Sequence, residues 1–196
     1  PSITPHPGRL LMSSLLRLLA ASTLAVAFAA PAHAEDKNTV TVGISVGTAE
    51  KIFDVVQKVA ARDGLTIKLV KFNDYQLPNA ALNAGDLDAN AFQHKPFLDN
   101  QIKARGFDIV PVGLTVTAPL GFYSHKIKSL NDLPEGASVG IQNDPSNGNR
   151  ALRLLAAYKI ITLKPEAEQK NTATPLDVVS NPRKIKLVAL DAAQLP

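Results

Sequence analysis

The alternation of strand and helix patterns along the chain constrains the fold more than any other feature. Val40, Val42 and Ile44 occupy every second position, as in a half-buried strand, and apolar residues at helical spacing follow over residues 49–62. Predicted strands cover residues 39–44, 66–71, 87–92 and 108–116, and predicted helices cover 49–62, 76–84 and 96–105. This β-α-β-α-β-α-β order predicts an α/β fold with a parallel sheet and right-handed crossovers.

Residues 12–34 have the pattern of a secretory signal peptide. A short basic segment precedes an apolar run over 18–30, and an A-x-A cleavage site ends at Ala34. The run is shorter than the ~20 apolar residues of a membrane-spanning helix. We therefore expect cleavage between Ala34 and Glu35, with residues 1–11 as an upstream extension, and export to the periplasm.

The chain of 196 residues contains no cysteine. Disulfides, thiolate metal sites and cysteine nucleophiles are therefore excluded for this sequence. A bacterial lipoprotein is acylated on a cysteine directly after its cleavage site, and Glu35 holds that position here. The sequence predicts an exported protein without a lipid anchor.

The composition argues against a nucleic-acid partner. The formal net charge is +4, basic residues are scattered rather than clustered, and aromatic residues make up only 5% of the chain. Aromatic platforms for stacking on nucleic-acid bases are therefore scarce, and a basic stripe is missing. With 45% hydrophobic residues, the chain can bury a core in one domain or in two small lobes.

Polar and aromatic residues follow the predicted strands at the points where the strands end. Residues 45–48 follow the first strand, with Thr48 as the predicted N-cap of the next helix, Tyr75 follows the second, and Phe92 and His94 end the third. In parallel sheets, ligands bind outside the carboxyl ends of the strands. These residues are thus predicted to converge on a ligand cleft, although core packing of Tyr75 and Phe92 is the alternative.

His94 has three interpretations. It could contact the ligand, cap the following helix, or bind a backbone carbonyl. A metal-ligand role is disfavoured because only His125 accompanies it after residue 34 and no H-x₃₋₅-H pair exists. No metal or other cofactor is predicted.

The pattern changes after Val116, where residues 117–121 resemble a crossover segment. We place a lobe boundary there, with a first α/β lobe over 35–117 and a partial second α/β lobe over 118–196. The second lobe is predicted to contain a strand-like segment over 122–124, a strand over 137–142, a helix starting near Pro145, a solvated loop over 164–171, and a strand over 186–190.

Arg150 lies near the N-terminal end of the helix predicted after Pro145. A guanidinium beside free helix N–H groups is suited to binding a carboxylate or a phosphate, because both supply directed donors and positive potential. The alternative is a surface ion pair, the usual role of an arginine.

Three separated blocks of this sequence resemble the NlpA lipoprotein family, whose MetQ-type members are methionine-binding substrate-binding proteins of ABC importers. The blocks are FNDYQLPNAALNAGDLDANAFQHKPFLD, NDPSNGNRAL and TPLDVVSNPRKIKLVALDAAQLP. The resemblance runs from about Asn38 to the C-terminus. It implies a type II periplasmic-binding-protein fold, with two α/β lobes, parallel-rich sheets, and a cleft for L-methionine, D-methionine or a related small amino acid or peptide.

The resemblance also implies site residues and partners. Tyr75, Phe92, His94 and Tyr123 would form the thioether pocket, and Arg150 would bind the α-carboxylate with Asn147 and Asn149 nearby. The expected partners are the small-molecule ligand methionine and an inner-membrane ABC permease with its cytoplasmic ATPase. The protein is not expected to be an enzyme.

Two alternative functions stay open. Family members continue beyond DAAQLP, so the second lobe is expected to be incomplete, and the chain could be a truncated remnant that binds methionine weakly or not at all. On that basis residues 38–116 are expected to be better protected from hydrogen exchange than 120–196. An exported α/β hydrolase is less favoured, because the chain has no G-x-S-x-G, paired-carboxylate or H-E-x-x-H motif.

Overall fold

The structure, a computed structural model, describes residues 38–195 of the chain. The predicted signal peptide and its cleavage site between Ala34 and Glu35 lie outside the described residues. Among the helices within 38–195, none has both the length and the apolar character needed to cross a bilayer.

The first sheet is parallel, as the strand and helix order predicted. Its strand order is β2-β1-β3, with β1 in the centre, paired through Val42 to Leu69 on one side and to Ala89 on the other. Helices follow each strand in turn. The elements are β1 (Thr39–Ser45), α1 (Thr48–Arg62), β2 (Thr66–Phe72), α2 (Leu77–Ala84), β3 (Ala89–Ala91) and α3 (Lys95–Arg105).

The start of α1 differs from the prediction by one residue. Gly47, at φ 97°, is the N-cap in place of Thr48, and Thr48 is the first helical residue. The backbone N–H of Gly47 donates to Glu50 Oε1 at 2.9 Å. Because the glutamate side chain reaches back to the cap, the helix start is stabilised without the threonine hydroxyl, in a conformation that glycine adopts readily.

The predicted strand over 108–116 is wrong, and so is the strand-like segment over 122–124, since both segments lack helix and strand. Val112 and Leu114 are 92% and 102% exposed. A strand needs a neighbour for its backbone groups and cover for its apolar side chains. Within residues 38–195 no neighbouring strand pairs with either segment, although the local pattern favours strand.

The second half contains a parallel pair and an antiparallel pair of strands. β4 pairs with β7 in parallel, and β5 pairs with β6 antiparallel. β7 has the predicted bounds, whereas the loop predicted over 164–171 is wrong, because a short helix forms there and buries Ala167. The elements are β4 (Ser138–Gln142), α4 (Pro145–Ala157), β5 (Thr162–Leu163), α5 (Pro165–Gln169), β6 (Val178–Ser180) and β7 (Lys186–Leu190).

The largest buried cluster lies in the second half. It joins residues of β4, α4, β5 and α5, of the loop between α4 and β5, and of the segments that follow α5 and precede β7: Ile141, Leu152, Leu155, Ile160, Ile161, Leu163, Ala167, Ala173 and Ile185. By contrast, no residue of α1 is buried, and Val55 and Val59 on its apolar face are 59% and 48% exposed. The sequence predicts that the first half is the better protected from hydrogen exchange, and that order stays a prediction.

The two parallel sheets lie on either side of the predicted lobe boundary near Ala118, one within residues 39–91 and the other within 138–190. The boundary itself stays a prediction. The mixed α/β architecture with parallel sheets confirms the predicted fold class.

Candidate functional site

Three of the predicted site residues meet around a fourth ring. Tyr75 and Phe92 pack edge to face with their centroids 6.0 Å apart, and Phe92 packs in the same way on Phe97 at 5.9 Å. Phe97 also contacts Tyr75 at 6.5 Å and the His94 imidazole at 6.5 Å. Edge-to-face pairs are the favoured arrangement of aromatic rings. We call these four residues the ring cluster.

The ring cluster lies at the carboxyl ends of β2 and β3, where the strand-end rule placed it. Phe97 is only 2% exposed and is thus a core residue beneath the other rings. Tyr75 and Phe92, for which core packing was the alternative, are half-buried.

A buried amide network holds the loop that carries Phe92 and His94. Asn79 of α2 is 0% exposed, and its Nδ2 donates to Gln93 Oε1 at 2.8 Å while Gln93 Nε2 donates back to Asn79 Oδ1 at 2.6 Å. Asn90 Nδ2 also donates to Asn79 Oδ1 at 3.0 Å. Since buried amides are costly unless they are paired, this network fixes the loop after β3 against α2.

His94 does not act as a side-chain cap. It is the N-cap residue of α3 by position, but its imidazole makes no capping hydrogen bond, and its Nε2 is buried without a protein partner. Burial lowers the pKa of His94 below its ordinary value of 6.5, the positive charge of Arg150 lowers it further, and Asp144 opposes both effects. The Nε2 atom of His94 thus makes no hydrogen bond within residues 38–195.

The charges that act on the ring cluster come from the second half. Burial raises the pKa of Tyr75, and the negative charges of Asp191 and Asp144 raise it further. Asp191 directly follows β7, Asp144 is the N-cap of α4, and α3 packs against α4. The carboxyl ends of the two parallel sheets are therefore close enough for charges at one to act on side chains at the other, and we call the space between them the cleft.

Arg150 supplies the positive charge of this cleft. It is half-buried on α4, and its Nη1 donates to Asn147 Oδ1 at 3.2 Å. The ion pairs found within residues 38–195 all involve lysines, so the surface ion pair considered for Arg150 has no partner there. A half-buried guanidinium without a carboxylate partner is chemically an anion receptor.

Two other predicted site residues lie elsewhere. Tyr123 is 67% exposed, makes no ring contact within the described residues, and lines a groove of about 500 Å³ along β4 together with Phe122 and Tyr158. Asn149 is 6% exposed, and its Oδ1 accepts from the Ala173 N–H at 3.1 Å. The structure thus does not bring either side chain to the ring cluster, and their role in ligand binding stays a prediction.

Several residues of the cleft escaped the sequence analysis. Gln142 ends β4 with a buried Oε1 that has no hydrogen-bond partner within residues 38–195, and Ser45 Oγ, which the sequence analysis did place at the strand ends, is in the same state. The strand-end rule, applied to β4 and β7 as it was to the first three strands, would have singled out Gln142, Asp144 and Asp191. Phe97 carries no such signal, because a phenylalanine inside a helix usually serves the core.

The geometry suits a small molecule with an anionic group and an apolar part. Arg150 can bind the anion, and the faces and edges of Tyr75 and Phe92 can cover the apolar part. Within residues 38–195 no group of three acidic or histidine side chains is arranged to hold a metal ion.

Comparison with known proteins agrees with this geometry. The family model of the NlpA lipoprotein matches residues 40–196. The chain belongs to the NlpA lipoprotein family. A nutrient binding protein from Burkholderia cenocepacia, solved bound to methionine, is 53% identical with a TM-score of 0.77, over 80% of this chain and 66% of that one. The crystal structure of the methionine binding protein MetQ is 50% identical with a TM-score of 0.78, over 81% of this chain and 64% of that one.

Among curated NlpA relatives, the D-methionine-binding lipoprotein MetQ of Salmonella typhi is 50% identical over 163 residues, which is 83% of this chain and 59% of the relative. This chain thus spans 59% of the length of that relative. The structural matches confirm the periplasmic-binding-protein-like α/β fold that the sequence resemblance implied.

Proposed function

We propose that this protein binds methionine as the substrate-binding component of an ABC importer and is not an enzyme. The observation that carries the proposal is the half-buried Arg150, which has no carboxylate partner within the described residues and acts electrostatically on His94 of the ring cluster.

Each part of methionine has a counterpart in the cleft. The α-carboxylate matches the guanidinium of Arg150, which can bind it through two parallel hydrogen bonds. The thioether is apolar and polarizable, and each contact of its sulfur with an aromatic ring contributes about 0.3–1.5 kcal/mol. The rings of Tyr75 and Phe92, which pack edge to face with their centroids 6.0 Å apart, support this part of the proposal.

The relatives support the same ligand class. One matching solved protein is bound to methionine, another is the methionine binding protein MetQ, and the Salmonella typhi relative is named for D-methionine. The proposed partners are accordingly an inner-membrane ABC permease and its cytoplasmic ATPase. The proposed location is the periplasm, in agreement with the signal-peptide pattern and with a 46% identical periplasmic substrate-binding protein from Coxiella burnetii.

Protein-detected NMR titration tests the proposal even if the affinity is low. Methionine of either configuration should cause saturable chemical-shift changes at Arg150, His94 and Phe92. The dissociation constant should be about 10 mM or lower, and a value of about 10 mM still corresponds to a few kcal/mol of binding free energy. Norleucine, in which a methylene replaces the sulfur, should bind more weakly. Equal shifts with methionine and alanine, or no saturation with methionine, would overturn the proposal.

A further inference from the structure

The first turn of α4 contains a continuous chain of hydrogen bonds that ends at Arg150. It starts at Asp144, the N-cap, which is 8% exposed. Asp144 Oδ1 accepts from the backbone N–H of Asn147 at 2.9 Å and from Ser146 Oγ at 2.6 Å. Asp144 Oδ2 accepts from Asn147 Nδ2 at 2.9 Å. Both carboxylate oxygens are thus engaged, and the side chain is held in one orientation.

The orientation of the Asn147 amide follows from this contact. A carboxylate can only accept hydrogen bonds, whereas an amide side chain has a donor end and an acceptor end. Asp144 therefore takes the donor end of Asn147, and the acceptor end, Oδ1, points to Arg150 and accepts from its Nη1 at 3.2 Å. The carboxylate at the start of the helix determines which atom the guanidinium meets.

The guanidinium has other N–H groups, and an arginine has five donors in a rigid fork. The hydrogen bond to Asn147 restricts the rotation of this fork before any ligand arrives. A receptor group that is already restricted loses less conformational entropy when the ligand binds, so the entropic cost of binding is smaller. The direction in which the remaining donors point is then a property of Asp144 and Asn147 as well as of Arg150.

We propose that Asp144 and Asn147 are positioning residues that orient the Arg150 guanidinium for the carboxylate of the ligand, and that Asn147 acts on Arg150 rather than on the ligand. The inference rests on the proposed function, since it assumes an amino-acid ligand. A helix cap alone would account for the backbone contact at Asn147, but it does not require the side-chain contacts from Asp144 through Asn147 to Arg150.

The substitution Asp144→Asn separates positioning from capping. Asparagine is as good an N-cap as aspartate, so the helix should start normally. Its Nδ2, however, replaces an acceptor with a donor opposite Asn147, which turns the Asn147 amide and presents its NH₂ group to the guanidinium. Two donors then face each other, and Arg150 moves.

Affinity for methionine should therefore fall about tenfold in Asp144→Asn, as expected for a lost hydrogen bond to a charged group. Affinity for methioninamide, which has no carboxylate, should change less than about twofold. In the Arg150→Ala background, Asp144→Asn should add no further loss, because residues of one network are not additive. Asp177→Asn is the matched control: Asp177 ends the short 3-10 helix Pro175–Asp177 and accepts from the backbone N–H of its N-cap residue, Thr174, at 3.0 Å, and both affinities should be unchanged.

Each result decides the inference. Equal losses for methionine and methioninamide, or an additive loss in the Arg150→Ala background, would show that Asp144 only stabilises the fold, and would overturn it. If the wild type binds neither compound, the proposed function fails, and crystal structures of the free wild type and Asp144→Asn then decide the positioning separately. A guanidinium that leaves Asn147 in the variant supports positioning, and one that stays in place overturns it.

Discussion

The region from β1 to α3 and the region from β4 to β7 are both built from strands and helices, but they bury their apolar side chains to different extents. In the first region, α1 has no buried residue, and five apolar side chains are buried besides Pro78. In the second, nine buried side chains form one cluster around β4 and α4. The first region nevertheless contributes the rings of the candidate site, and the second contributes its charged groups.

This difference shows which groups need a rigid support. Rings that cover an apolar ligand group act through contact area and tolerate small movements, since the hydrophobic effect is not directional. A guanidinium that binds a carboxylate acts through directed hydrogen bonds, so a shift of its donors weakens it. Arg150 is placed on α4, the helix that packs over the larger cluster, with Leu152 and Leu155 buried in the following turn.

Truncation of a core residue should give the largest effect and should differ between the two regions. Leu152→Ala removes a side chain that is 0% exposed and should lower the free energy of unfolding by about 2–5 kcal/mol. Val55→Ala on the exposed face of α1 should change it by about 0.5 kcal/mol or less. Urea denaturation of both variants measures the two values, and similar losses would contradict the comparison.

Hydrogen exchange of the wild type tests the same comparison without substitutions. Amides of α4 should exchange more slowly than those of α1, because the most protected amides belong to the best buried elements. The reverse order, which the sequence alone predicted, would mean that burial in the described residues is a poor guide to stability here.

Removal of the guanidinium should have the next largest effect. Arg150→Ala should weaken methionine binding about 30-fold or more, since truncating one partner of a desolvated charged pair commonly costs 2–5 kcal/mol. Arg153→Ala is the control, because Arg153 lies on the same helix but is exposed. Calorimetric titration measures both, and an equal effect of the two variants would remove Arg150 from the site.

Loss of one ring should have a smaller and more selective effect. Phe92→Ala should weaken methionine about threefold to tenfold, corresponding to the lost sulfur contact and apolar area, and should affect glycine and alanine much less. The same titrations with all three amino acids measure the selectivity. A uniform loss would identify Phe92 as part of the scaffold.

The smallest effect should come from the titration of His94. Its pKa is lowered in the folded state, so the unfolded state binds the proton more readily and the free energy of unfolding should fall as the pH drops below 6.5. His94→Asn should flatten this dependence. Thermal unfolding of both proteins between pH 7.5 and about pH 5 measures it, and identical pH profiles would exclude His94 as the cause.

The elements predicted correctly are those whose cause lies in their own residues. The alternation around Val42 and the helical spacing that follows led to the parallel β2-β1-β3 sheet, and β7 was predicted at its observed bounds. The strand-end rule brought Tyr75, Phe92 and His94 together without reference to any contact. Local periodicity and the direction of parallel strands are enough for such conclusions, because both depend on short-range backbone geometry.

Tertiary structure alone decided the rest. Residues 108–116 have a strand pattern but no strand, because pairing depends on a partner elsewhere in the chain. The placement of Phe97 beneath the other rings and the contact of Asn147 with Arg150 also depend on neighbours. An amide can turn either end to its surroundings, and it is the carboxylate of Asp144, in the folded chain, that selects the end that faces the guanidinium.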